Sequence, residues 1–101
     1  MSGQDFSRDA FAAAVGSTFV VEAGDSPVDF VLDRIEDGPR LPGLEQYALY
    51  FRGPGDLLLE QQAFRLDHDV MGTMEIFVVP IGRVGGWIEY QACFNHRAAG
   101  G

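Results

Sequence analysis

Asp67, His68 and Asp69 stand in a row, and carboxylate and imidazole groups in such a cluster could bind a metal ion. On a strand, however, Asp67 and Asp69 face one way and His68 the other, so they cannot converge on one ion unless the segment turns. A calcium loop beginning at Asp67 would need an oxygen ligand at Met71 and a bidentate glutamate at Val78, and the sequence has neither. We therefore expect these residues to end a strand and cap the turn that follows.

Two other groupings could support catalysis. His68 and His96 could form a two-histidine metal site, but nothing in their spacing brings them together and no acidic third ligand is evident. Cys93 could be a nucleophile with a histidine partner, but it follows no helix N-terminus that would activate its thiol. The pattern favours His96 as an exposed residue at the end of the last strand and Cys93 as a small strand residue.

The composition removes several mechanisms. All seven basic residues are arginines, and the lack of lysine excludes a Schiff-base lysine and a P-loop lysine. No GxSxG motif marks a serine nucleophile. We predict no catalytic residue, no metal and no cofactor, and we do not expect an enzyme.

Charge and length limit the class of protein. The 101 residues carry a formal charge of −8, which repels nucleic-acid phosphates and anionic membranes. With 47% hydrophobic residues, the chain fits a single domain over 1–101, with 1–5 and 97–101 expected to be frayed. One cysteine and no signal-peptide pattern favour cytoplasmic synthesis. Later incorporation into an extracellular or virion-like assembly stays open.

The periodicity predicts one helix followed by strands. Ser7 fits an N-cap, and Gly16 fits the left-handed residue that ends a helix. After Gly16 the apolar pattern repeats every two residues. Strands are predicted over 18–21, 28–35, 47–52, about 61–68, 73–81 and 87–94. This pattern predicts a mainly β fold: a six-stranded antiparallel small barrel or sandwich with one short N-terminal helix.

The fifth predicted strand has a nearly continuous apolar run over 76–81. Such a run is typical of a strand buried on both faces. We expect the sheet core to cover one face, and the helix or a partner to cover the other.

The second faces of two strands carry residue types that are enriched at protein interfaces. Tyr50 and Arg52 lie opposite the core face of the third strand, and Trp87 and Gln91 lie opposite that of the sixth. We predict these four residues as an interaction surface. The alternative, of equal weight, is that the helix or loops cover this face. An edge strand could also recruit a partner strand.

Several short sequence motifs follow one another in the second half of the chain. They are an F-R-G-P turn at 51–54, Gln61, Phe64, Leu66 and His68 on one strand, F-x-V-P at 77–80, and Y-Q-A-x-F-N at 90–95. In this order they resemble a family of small bacterial domains of unknown function, and a looser match at Phe11, Gly16 and Phe19 extends the likeness over most of 6–96. Phe64 stands where tyrosine is common in the family, and Gln91 where glutamate is common.

Genes of this family are often found beside phage-tail-collar fibre genes of the microcystin-dependent-protein type. The resemblance therefore implies a role in a fibre or tail-like assembly. It brings no catalytic residue to this chain.

These observations favour a non-enzymatic protein-interaction or structural subunit, of a phage-tail-like or adhesin fibre system. Its expected partner is a protein, either a second copy or a fibre or tail-like protein, with no nucleic acid and no membrane insertion. One alternative is a small barrel that binds an apolar or sugar ligand at its mouth through Tyr50, Trp87 and Tyr90. Another is a small metal-dependent enzyme that uses His68 and His96.

Overall fold

A computed structural model describes residues 7–24, 26–39 and 41–97, with only the backbone of residues 96 and 97. The predicted fraying of 1–5 and of 98–101, and the predicted exposure of the His96 side chain, lie outside this part of the chain. Residue 97, which was predicted to fray with the tail, is instead the last residue of the final strand, where its backbone pairs with Leu44.

The helix forms where its capping residues predict. Helix α1 spans Arg8–Ala13, and the Ser7 hydroxyl oxygen accepts a hydrogen bond from the Ala10 amide at 3.2 Å. Gly16 has a φ of 91°, the left-handed conformation expected of it. The predicted N-cap at Ser7 and the predicted left-handed conformation of Gly16 are both confirmed.

Six antiparallel strands follow and form one sheet that closes into a barrel. Around the barrel the order is β1-β2-β3-β6-β5-β4, and β1 pairs with both β2 and β4 to close it. The strands are β1 (Thr18–Ala23), β2 (Ser26–Asp37), β3 (Leu44–Pro54), β4 (Gln62–His68), β5 (Gly72–Val84) and β6 (Trp87–Arg97). The mainly β prediction is confirmed, and of its two architectures the chain adopts the barrel.

Five of the six strands, all but β4, are longer than the alternation predicts. β2 continues to Asp37 and β3 begins at Leu44, because β3 pairs with β6 along its whole length and β2 pairs with β3 up to Asp37. Two register shifts, between Leu32 and Arg34 and between Pro80 and Gly82, insert an extra residue into β2 and β5.

Aromatic side chains fill the barrel. The rings of Phe30 and Tyr90 stack at 4.6 Å between centroids, and both residues are fully buried. A Cβ atom on Gly53 would lie 2.9 Å from each of these rings, so only glycine fits there. Phe11 of α1 covers one end of the barrel, with its ring 5.5 Å from that of Phe94 and 6.4 Å from that of Tyr47.

The prediction that the fifth strand is buried on both faces is wrong within this chain. Met74, Ile76 and Val78 point into the core, whereas Phe77 is 54% exposed on the outer face. A closed barrel has one interior, and α1 packs at its end rather than outside β5. The apolar residues of the outer face are therefore left uncovered.

Candidate interaction surface

A network of charged and polar side chains lies outside the barrel, centred on Arg34. The register shift in β2 places Asp33 and Arg34 together on the outer face. The Arg34 guanidinium lies 2.7 Å from a carboxylate oxygen of Glu89, 3.1 Å from one of Asp33 and 3.2 Å from one of Glu36. The hydrogen bond to Glu89 is the largest cause of the raised pKa of Arg34.

Tyr50 lies beneath this guanidinium. The Arg34 carbon Cζ is 4.0 Å from the centre of the Tyr50 ring, a cation–π arrangement. The Tyr50 hydroxyl donates a hydrogen bond to Glu36 at 3.2 Å and accepts one from the Gln91 amide at 2.9 Å. Tyr50 is consequently only 8% exposed, although it lies outside the barrel.

Arg52 belongs to the same network, since its guanidinium lies 3.0 Å from a carboxylate oxygen of Asp33. The structure thus brings together three of the four predicted interaction residues, Tyr50, Arg52 and Gln91, and each contacts partners within the chain. The fourth, Trp87, lies at the start of β6 between Pro54 and Val84 and is 46% exposed.

A stripe of apolar side chains runs from Trp87 along the outside of β5. Phe77, Val79 and Ile81 lie at every second position of β5, and Val84 pairs with Trp87 in the β5–β6 hairpin. All but Val79 are exposed large hydrophobic residues, and Val79 is half-buried. We call these five residues the β5 stripe.

Sequence reasoning missed most of the β5 stripe, although its signal was present. The apolar run over 76–81 has too many hydrophobic residues for one buried face. A strand with one face in a closed barrel must expose the remaining ones, including Phe77 and Ile81.

His68 has a structural role in the turn between β4 and β5. Its Nδ1 atom accepts hydrogen bonds from the Val70 and Met71 amides, both at 3.1 Å. Because Nδ1 is an acceptor, the ring proton lies on Nε2, which donates to the Ser17 hydroxyl at 2.8 Å. Ser17 in turn donates to the Ala14 carbonyl at the end of α1. The predicted turn cap is confirmed for His68.

The geometry does not gather metal ligands around His68. Both of its ring nitrogens are already hydrogen-bonded, and the Asp67 carboxylate accepts a hydrogen bond from the Thr73 hydroxyl. Among residues whose side chains the structure describes, no three histidine, cysteine or acidic groups come together as metal ligands.

The three residues predicted for a ligand-binding barrel mouth do not share one site. Tyr90 is fully buried, and its hydroxyl donates to the Leu57 carbonyl and accepts from the Leu59 amide. Tyr50 and Trp87 lie on the outer face instead. The prediction of a common mouth is wrong because Tyr90 alternates with the outward residues of β6.

A cleft lies outside the barrel, between α1 and the connection from β2 to β3. It has a volume of about 690 Å³ and is lined by Arg8, Asp37, Pro39 and Leu41 among others. Arg8 and Asp37 form an ion pair there at 2.6 Å, and this hydrogen bond is the main cause of the raised pKa of Arg8.

Fold and surface together define a small closed six-stranded antiparallel barrel, with a helix over one end and an apolar stripe outside. The chain belongs to a family described as a domain of unknown function, DUF6916, whose model matches residues 6–94. No curated protein and no solved structure matches it. In the part of the chain that the structure describes, no helix has the length and apolar character needed to cross a membrane.

Proposed function

We propose that this protein is a non-enzymatic protein-interaction or structural subunit, and that the β5 stripe is where a partner docks. The assembly we propose is a phage-tail-like or adhesin fibre system that is extracellular or virion-like. This choice of system comes from the resemblance to domains whose genes are often found beside tail-collar fibre genes.

The β5 stripe is the observation that carries the proposal. Phe77, Ile81, Val84 and Trp87 are each between 45% and 54% exposed. An exposed row of large apolar side chains with a tryptophan at one end is typical of a protein-binding surface. α1, which could have covered this face, lies at the barrel end beside Phe94.

The polar network supports the same location for the interface. Tyr50, Arg52 and Gln91 have residue types common at interfaces, but their polar groups already have partners in the chain. A partner that covered them would gain few new hydrogen bonds. Trp87 and the apolar residues next to it would gain burial instead.

Phe77→Glu tests this proposal. We expect it to weaken both self-association and binding to a fibre protein of the tail-collar type by about 30-fold or more, because it places a charge at a buried apolar contact. Light scattering and native mass spectrometry over a concentration series would measure this. Circular dichroism would check that the variant is folded.

Val70→Glu is the matched control, because Val70 is 87% exposed in the β4–β5 turn, outside the β5 stripe, and the variant adds the same charge. We expect it to bind like the unaltered protein. The proposal would be wrong if the unaltered protein is a strict monomer that also ignores the fibre protein, or if both variants behave alike.

A further inference from the structure

β6 has an edge that is unpaired over half its length. Its pairing with β5 ends at Val79 and Gln91, whereas β6 continues to Arg97 with β3 as its partner. No described residue pairs with the other side of β6 beyond Gln91. In this half-strand, alternate residues direct their backbone N–H and C=O groups away from β3. Among the described residues these groups have no strand partner, so they are available to another strand.

Two other half-strands that pair on one side only carry features that discourage strand addition. The first half of β2, which pairs only with β1, contains Pro27 and Asp29. The second half of β5, which pairs only with β6, contains Pro80 and the irregularity at Ile81. In β6, by contrast, residues 92–95 contain no proline, no charge and no register shift.

The free edge of β6 adjoins one end of the β5 stripe. Val79 and Gln91 form the last pair between β5 and β6, and both side chains face outward. Two residues further along, the next outward-facing residues are Phe77 on β5 and Cys93 on β6, and both are exposed. A strand added to β6 would therefore lie beside Phe77 and cover apolar surface in addition to forming backbone hydrogen bonds.

We propose that the added strand is the same edge of a second copy, so that two β6 strands pair antiparallel across a two-fold axis. This deepens the proposed function, on which it rests, by naming a partner for the Phe77 end of the β5 stripe. Two identical edges are self-complementary in an antiparallel pair. Residues 92–95 are uncharged in a chain of net charge −8, so the copies meet where they repel least.

Cys93 gives a direct test, because it is the only cysteine in the chain and is exposed on this edge. We expect a short bis-maleimide cross-linker to convert the protein efficiently into a covalent dimer. The control is Cys93→Ser combined with Thr18→Cys, which moves the thiol to an exposed position on β1. We expect this control to form little or no covalent dimer, because its thiols lie away from the paired edge, and equal cross-linking of both proteins would overturn the proposal.

Cys93→Asp tests the edge without chemical modification. The two-fold axis would bring the two new carboxylates close together, so we expect self-association to weaken by about 30-fold or more. Thr18→Asp adds the same charge on β1 and should leave self-association unchanged. Equal self-association of Cys93→Asp and the unaltered protein in native mass spectrometry would contradict strand pairing.

The failures of the two proposals can be told apart. If Phe77→Glu disrupts binding but Cys93 does not cross-link, the β5 stripe is an interface and the paired β6 edge is wrong. If the protein is a monomer that still binds the fibre protein through Phe77, the second copy is wrong and the proposed function stands. If the protein is a monomer that also does not bind the fibre protein, both proposals are wrong.

Discussion

At the scale of single residues, Arg34 decides what the outer face of the barrel can do. Its guanidinium contacts Asp33, Glu36 and Glu89 and covers the ring of Tyr50. One arginine thereby neutralises neighbouring carboxylates that would otherwise repel each other. The arrangement turns a group of interface-type residues into an internal network.

We expect Arg34→Ala to lower the free energy of unfolding by about 1–2 kcal/mol, because it leaves Glu89, whose side chain is mostly buried, without its closest cation. The pKa of Arg34 is raised, so the arginine stays charged throughout the neutral pH range, and on the alkaline side this contribution is lost only in strong alkali. Chemical denaturation at pH 7 would measure the loss.

Arg65→Ala is the control for this prediction. Arg65 lies 3.7 Å from Glu22, and both side chains are more than half exposed. We expect a loss below about 0.5 kcal/mol, as for most exposed ion pairs. Equal losses for the two variants would show that the network adds nothing beyond single surface contacts.

At the scale of elements, His68 holds three parts of the fold together. It caps the turn between β4 and β5 through Val70 and Met71, and through Ser17 it reaches the end of α1. Its ring also lies against that of Phe19, with 4.4 Å between centroids. His68, which in the sequence suggested metal binding, therefore connects the β4–β5 turn, the end of α1 and the core through its hydrogen bonds and ring contact.

We expect His68→Leu to destabilise the protein by about 2 kcal/mol, because two backbone amides lose their acceptor. Hydrogen exchange should also become faster at the Val70 and Met71 amides, which a general loss of stability alone would not single out. Asp69→Ala, an exposed change in the same turn, should have little effect on either measurement. A variant at His68 with unchanged exchange would disprove the capping role.

At the scale of the whole molecule, closure of the barrel determines which surfaces remain available. Each strand has neighbours on both sides, but β5 and β6 pair with each other over only part of their lengths. The free edge and the β5 stripe both result from this geometry. The remaining surface belongs to a chain of net charge −8.

If two copies associate through the uncharged residues 92–95 of β6, their overall charges still repel each other. We therefore expect self-association to strengthen severalfold between about 20 and about 200 mM salt, because salt screens this repulsion. Analytical ultracentrifugation at several salt concentrations would test it. Weaker association at high salt would instead indicate ion pairs across the interface, and it would contradict pairing at an uncharged edge.

Local patterns in the sequence were sufficient to predict where the helix and the strands lie. The alternation of Tyr47, Leu49 and Phe51 placed a strand and its core face correctly, and Ser7 and Gly16 marked the ends of the helix. The register shifts after Leu32 and Pro80 were not predictable, because no residue type marks them and they depend on the neighbouring strand. The hydrogen-bond partners of Tyr50 could not be predicted either, because Gln91 lies 41 residues away along the chain.

The sequence by itself determined an acidic chain with one helix, six strands and an excess of apolar residues on the fifth strand. Only the tertiary structure decided which of those apolar residues are buried, because hydrophobicity shows that a side chain avoids water but not which surface covers it. Closure of the sheet placed Ile76 and Val78 inside and left Phe77 outside. The same closure enclosed Tyr90 and left the end of β6 with β3 as its only strand partner among the described residues.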